Sequence, residues 1–343
     1  MALIGSLLQR LGVEPGERPL FLWAGLSLAL MGAAALGLLN TSETLFLKRV
    51  GVEYLPVVLL ATSGVLVLTT GFLSGFLADA DRPRWLPRVL MLLAVLVLPF
   101  CLLVGIDHDA VYYALVLASR HVLALGLLSF WVALGDLVTG RQAKRLYAPL
   151  TAGITLGMIA GSFGSNPIGR LVGLEGLLVV CSILLLGAGL AAQRVRRAQP
   201  GRIERDLDRA ASPRAPRRRR ASWPSARELW RESPLFRLLL LPAVCGGLLG
   251  PILYFEFSFV ADAATQGPDG EQELLSLYSQ FRGWLNIFTL FAQLWLSSRL
   301  YHWLGIPLAV TLWPLTYLAG FVWLGVSLGL RAGVTSLGGA RVA

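Results

Sequence analysis

The chain has 343 residues, 55% of them hydrophobic, with 30 Lys and Arg against 20 Asp and Glu, for a net charge of +10. A soluble core of this size does not hide so many apolar residues, and three widely spaced cysteines (Cys101, Cys181 and Cys245) rule out a fold built on disulfides. The charge is also local: 13 Arg and five acids between 194 and 233 give +8 and leave +2 for everything else, which speaks for topology rather than nucleic-acid binding.

Taken in chain order, windows of about 20 mostly apolar residues, the length that crosses a bilayer, recur at about 20–47, 52–78, 86–106, 110–138, 147–169, 174–192, 235–262, 273–297 and 306–330. The pattern predicts an all-α polytopic membrane protein with six plus three transmembrane helices. The first window is too long for a cleaved signal and is expected to stay in the mature chain. It ends in the polar run Asn40, Thr41, Ser42, Glu43 and Thr44, followed by Lys48 and Arg49.

The loop after the second window reads Gly75, Phe76, Leu77, Ala78, Asp79, then Arg82, Pro83 and Arg84. The fourth window holds Arg120 and His121. The fifth holds Gly153, Gly157 and Gly161 at four-residue spacing with Ser165 extending the row, a small-residue ridge for close helix contact. The segment 194–233 is Arg- and Pro-rich, including the run Arg217 to Arg220, and reads as a solvated basic linker drawn to anionic lipid. Trp223 to Ser233 resembles a short interfacial helix anchored by Trp230. In the seventh window Gly246, Gly250 and Pro251 are expected to bend the helix beside Glu256, and the eighth carries Arg282. The tail 331–343 cannot span.

Lys and Arg cluster in the loops holding Arg82, Arg84 and Arg88, then Arg141, Lys144 and Arg145, then 194–233, then Arg299, while the alternate loops hold Asp107 and Asp109, or Asp262, Asp269, Glu271 and Glu273. Positive loops stay on the cytoplasmic side, so the N-terminus is predicted to be cytoplasmic in a multi-pass inner membrane protein. The 28 Arg against two Lys, with abundant Ala, Leu and Gly, suggest a bacterial source. Domain boundaries follow: 1–193 a six-helix half, 194–233 the linker, 234–330 a partial second half of three helices, 331–343 the tail.

A central basic loop between helical halves, together with Gly75–Phe76–Leu77–Ala78–Asp79 and the basic residues after it, resembles the major facilitator superfamily. The strings GVEYLP (51–56), GRQAKRLYAPLTAGITLGMIAGS (140–162) and SPLFRLLLL (233–241) are similar to bacterial relatives of the ATP/ADP translocase family, over about residues 15–330. That resemblance implies a helical bundle of facilitator type, alternating access, and nucleotide or other small-solute transport. It also implies that the last three helices of the family are lacking. Asn40 to Thr44 stand where nucleotide exchangers place a basic cluster, so a basic position is acidic in this chain.

Ionisable residues inside spans cost about 2.5–3.5 kcal/mol each to insert and are therefore site candidates. Counting rises of 1.5 Å per residue from a cytoplasmic N-terminus puts Glu43, Arg120, Glu256 and Arg282 at one depth, between the midplane and the outer face. Two acids and two arginines are expected to pair across the halves as a gate, and their summed charge of zero disfavours a polyphosphate. The alternative is a non-transporting or truncated membrane scaffold or sensor. No P-loop can be written around Lys48 or Lys144, His108, His121 and His302 have no metal spacing, and the Gly-x-Ser-x-Gly of 325–329 lacks a following acid and histidine. No enzyme, metal or cofactor is expected, and the partners are lipid bilayer, anionic lipid and a small solute.

Overall fold

A computed structural model describes residues 13–79, 81–198, 230–231 and 234–296, and isolated positions at 303, 315, 316, 319, 320, 322, 323 and 326. Among these residues there is no strand. The helices are α1 (Arg18–Arg49), α2 (Leu55–Asp79), α3 (Arg82–Val97), α4 (Phe100–Leu103), α5 (Asp109–Leu137), α6 (Gly140–Arg197), α7 (Pro234–Ala264) and α8 (Gly270–Phe291). Six stretches are long and apolar enough to cross a membrane: Pro15–Arg49, Val52–Phe76, Arg82–Ile106, Asp109–Leu137, Arg145–Arg197 and Gly246–Ala264. In hydrocarbon a backbone must satisfy its own polar groups, which a helix does along its whole length.

Local sequence explains where the helices begin. Pro19 and Pro83 sit in the first turns of α1 and α3, where a missing N–H costs nothing. Thr139 caps α6: its hydroxyl accepts from the Gln142 amide at 3.3 Å, and Gln142 Oε1 accepts from the Thr139 amide at 2.9 Å. The start of the Gln142–Leu146 motif is thus a capping box. His108 caps α5 in the same way, its Nδ1 accepting from the Ala110 amide at 3.1 Å.

At 58 residues α6 would run about 87 Å if straight. It is not one rod. Gly173 adopts φ 77° and ψ 172°, a backbone shape that glycine takes at no steric cost. Two limbs therefore meet at one residue, 140–172 and 174–197, and the fifth and sixth predicted spans are joined without a loop. α7, in contrast, stays helical through Gly246, Gly250 and Pro251 instead of breaking there. Most of the ninth predicted span, the whole tail, and most of the 194–233 linker and the Trp223–Ser233 helix lie outside the described residues.

Packing groups the chain into one compact unit of Met1–Ala215 with Ser258–Leu294 and another of Pro216–Phe257 with Trp295–Ala343. The division does not follow the predicted boundary at 234, because the end of α7 and all of α8 pack with the N-terminal helices. Within the first unit α1 is the central element and packs on α5, α6 and α8. Its second half is buried on every side, from Ala34 through Leu47 with one interruption at Leu39.

Small residues allow this burial. Gly25, Ala29 and Ala33 of α1 run alongside Gly153, Gly157 and Gly161 of α6, so both helices present rows at four-residue spacing and lie parallel. A Cβ on Gly157 would collide with the Ala29 backbone, and one on Gly161 with that of Ala33. The ridge therefore lies against α1, inside the first unit. Beside it an apolar crevice of about 400 Å³ is lined by small residues including Ala33, Gly37, Gly164 and Cys181.

Candidate functional site

Near the end of α1 the polar run Asn40–Thr44 is fully buried, where an unpartnered polar group is costly, and all but the Thr44 hydroxyl are hydrogen-bonded. Thr41 returns its hydroxyl to the Gly37 carbonyl at 2.9 Å, and Ser42 donates to Ser119 of α5 at the same distance. Glu43 has no exposed surface and is the hub of the site. Its Oε1 accepts from Arg120 Nη2 of α5 at 2.7 Å, and its Oε2 accepts from Arg282 Nη2 of α8.

Arg282 is positioned from three sides. Its Nη1 donates to Asn40 Oδ1 at 2.7 Å, and its guanidinium lies 4.5 Å from the Tyr278 ring centroid. Tyr278 is itself fixed by donating to Ser258 Oγ at 3.0 Å, while Asn40 donates from Nδ2 to Ser165 Oγ of α6 at 3.2 Å. One carboxylate and two guanidiniums thus join α1, α5 and α8, with the α6 ridge bonded in through Ser165.

The structure brings together Glu43, Arg120 and Arg282 and leaves out Glu256. That glutamate is exposed on α7, belongs to the second packing unit and pairs with no described residue. Equal depth was the reason for grouping it, but depth fixes a residue's height and not the face it occupies. The four-residue balance of zero charge therefore does not describe the bonded network. His121, next to Arg120, bonds through Nδ1 to the Leu117 carbonyl of its own helix at 2.7 Å.

A second charged layer lies about 9 Å further along α1, six residues on. Lys48 pairs with Asp262 of α7 at 2.7 Å and donates to the Asp262 and Thr265 carbonyls at 3.2 and 3.0 Å. Arg49 donates from Nε to Glu271 of α8 at 2.8 Å and from Nη1 to the Tyr112 hydroxyl at 2.8 Å. Tyr112 in turn donates to Asp107 at 2.6 Å. Arg49 also lies 3.8 Å from Glu175, two residues beyond the Gly173 joint. Neither Lys48 nor Arg49 is among the site candidates that the sequence singles out. The signal for this tie was the acid content of the loops on that side, since a Lys–Arg pair at one helix end needs carboxylates at the same height.

α8 carries a polar stripe down its length. Gln272 and Ser276 meet Asn166 of α6 at 2.8 and 3.1 Å, Asn286 donates to the Arg282 carbonyl at 2.8 Å, and Gln293 accepts from Thr155 at 3.1 Å. Positions 272, 276, 279, 282, 286 and 293 recur at helical spacing, which is why α8 is the least apolar of the predicted spans that the structure describes. Gln293 sits in a π-helical turn, Ala292–Leu296, of the kind often found at functional sites.

The loop motif is assembled differently from the ridge. Arg82 pairs with Asp136 of α5 at 3.3 Å, and Arg84 with Asp81 at 2.7 Å. Gly75 is exposed, and a Cβ there would meet nothing within 4 Å, so no described helix packs closely against it. The side chain of Asp79 lies outside the described residues.

The described chain is therefore an all-helical protein with six helices fit by length and composition to cross a membrane and a buried ionic network joining three of its helices. No family model, curated protein or solved structure matches it. Among the described residues no group of three or more His, Cys, Asp or Glu could hold a metal ion.

Proposed function

We propose that this is a multi-pass bacterial inner membrane transporter of the major facilitator type, with a cytoplasmic N-terminus, moving a small solute by alternating access. The observation that carries the reading is the Arg120–Glu43–Arg282 network. Glu43 and Arg282 are buried, and Arg120, beside them, is about a quarter exposed; ionised side chains placed so deep in an apolar bundle are costly to insert, and such groups mark substrate or ion pathways. The polar stripe of α8, running from Gln272 past Arg282 to Gln293, gives that pathway a lining.

The two arginines then have different roles. Arg120 shares the N-terminal bundle with Glu43 and is its resident counter-ion, whereas Arg282 comes from the helix set after the linker and is the partner that leaves. Rocking α8 away from α1 breaks Glu43–Arg282, and Glu43 keeps Arg120. The carboxylate is never left bare in an apolar interior, which keeps the exchange between states within reach of thermal energy. Lys48–Asp262 and Arg49–Glu271 form a second tie at the same end and close in register with the first. The resemblance to ATP/ADP translocase relatives makes nucleotides the first solutes to test.

The test uses purified full-length protein in proteoliposomes. Labelled ATP, ADP and a panel of amino acids and other small anions are offered, and uptake is compared with Glu43→Gln, Arg282→Gln and empty vesicles. Uptake of one solute that falls at least tenfold in both variants is expected. No solute entering faster than in empty vesicles overturns transport and leaves a membrane scaffold; uptake that both variants retain overturns the gate.

A further inference from the structure

Among the described residues, the opposite end of the same unit has an excess of cations that the acids there do not balance. The described carboxylates there are taken: Glu14 and Glu17 by Arg145, Asp81 by Arg84, and Asp136 by Arg82. Arg18, Arg88, Arg194, Arg196 and Arg197 make no ion pair with any of them. Two of these guanidiniums are nevertheless fixed in place. Arg194 lies over the Trp23 ring at 5.5 Å from its centroid, and Arg88 over the Trp85 ring at 4.8 Å.

Helix packing sets these residues on one face. On the second limb of α6, Ala188 accepts from Ser27 of α1 at 2.9 Å and Gly187 lies against Leu30 of α1, while Gly189 and Gln193 meet Met91 of α3. The row Leu186, Leu190, Arg194, at four-residue spacing, is exposed between those two flanks. Its neighbours repeat the arrangement. α1 presents Arg18, Leu22 and Leu26, and α3 presents Arg88, Leu92 and Leu96, in each case a guanidinium followed at four-residue steps by leucines that are exposed. Three helices thus show the same vertical order, cation above and bare aliphatic surface below.

We propose that this face binds a phospholipid with an anionic headgroup, its phosphate between Arg194 and Arg88 and its acyl chains along Leu190, Leu186 and Leu92. The assignment rests on the membrane-spanning reading and not on transport. The chemistry matches on both counts: a guanidinium held over an indole offers its N–H fork to phosphate oxygens, and aliphatic side chains one and two turns deeper lie at acyl depth. A soluble anion uses the first half of this surface and has no use for the second. The bland role, basic residues complementing the C-terminal dipole of α6, accounts for Arg194, Arg196 and Arg197 but not for Arg88 and Arg18 at helix beginnings.

The full chain is reconstituted in nanodiscs of phosphatidylcholine with phosphatidylglycerol added in steps, and lipid retained on mild detergent release is counted by native mass spectrometry. Wild type is expected to retain phosphatidylglycerol. Arg88→Gln with Arg194→Gln is expected to weaken it about 30-fold, from roughly fivefold for each basic residue near an anionic surface. Leu190→Asn, which leaves the charge intact, also lowers retention, and Arg141→Gln, in the first turn of α6, leaves it unchanged. Gel filtration checks folding, and if the double variant fails, Arg194→Gln alone must show the fivefold loss. Equal losses in Arg141→Gln and Arg194→Gln overturn the site in favour of diffuse surface charge. Full displacement by inorganic phosphate with no effect of Leu190→Asn overturns the lipid in favour of a free anion.

Discussion

The two ends of the helical unit use charge in opposite ways. At the end of α1, Lys48 and Arg49 reach carboxylates more than 210 residues away, Asp262 and Glu271, and Glu43 below them reaches Arg282 across a separation of 239 residues. At the start of α1 the pairs are Arg82–Asp136, Arg84–Asp81 and Arg145 with Glu14 and Glu17, none of them involving α7 or α8. One end is tied between helix sets that lie on either side of the linker; the other is tied within the N-terminal set and keeps cations to spare. In the proposed alternating-access reading, that fastening is what closes the acidic end, and opening begins by undoing it.

The comparison is broken most strongly at Glu43. Glu43→Ala leaves two guanidiniums without their shared carboxylate, and removing one partner of a buried pair costs about 3–5 kcal/mol. A large fall in the midpoint of thermal unfolding in detergent is expected; a midpoint close to wild type would mean that Glu43 is not the hub. Next comes the α1–α6 contact, where Gly157→Ala drives a Cβ into the Ala29 backbone. Overpacking of this kind costs about 1–3 kcal/mol, and Ala at Gly25, whose nearest neighbour is the Leu150 side chain at 3.9 Å, is expected to be far milder in the same melt.

The tie itself is smaller in energy and larger in its effect on accessibility. Arg49 and Glu271 are both partly exposed, so their pair is worth about 0.2–1 kcal/mol. Arg49→Gln should hardly move the melt, yet it should raise the labelling rate of a cysteine placed at Ser42 by a membrane-impermeant maleimide, in a background free of native cysteines. Equal labelling with and without Arg49 would show that the tie does not hold the end shut. The smallest effect is expected at Glu256, exposed and outside the network: Glu256→Gln should change the unfolding midpoint by no more than about 0.5 kcal/mol in equivalent stability.

Hydropathy alone made the helices legible, because a membrane-length apolar run leaves the backbone few other choices. The ridge at Gly153, Gly157 and Gly161 was legible for a similar reason, since four-residue spacing of the smallest side chain has one structural use. Glu43, Arg120 and Arg282, singled out by the cost of placing charge in a span, are bonded together in the structure. What the sequence did not carry was direction around each helix: Glu256 is exposed and pairs with no described residue. Lys48 and Arg49 did not stand out in the sequence, because a cation at a helix end is ordinary until its partners on distant helices are known. The joint at Gly173 falls in the gap between the fifth and sixth predicted windows, flanked by Arg170 and Glu175; what the sequence did not carry is that a single glycine makes it without a loop.

The buried carboxylate at Glu43 also imposes an order on biogenesis. When α1 first enters the membrane, Glu43 has no counter-ion, and its charge works against lateral release into lipid. Arg120 follows 77 residues later, and Arg282 only after 239, which at a synthesis rate of about 5–20 residues per second is a wait of roughly 12–48 s. If the chain inserts in a membrane, α1 is over that interval a helix whose second half is poorly suited to lipid until α5 brings Arg120 to Glu43. A ribosome stalled before Arg120 should therefore leave α1 extractable from the bilayer by alkaline carbonate, and one stalled after α5 has emerged should not.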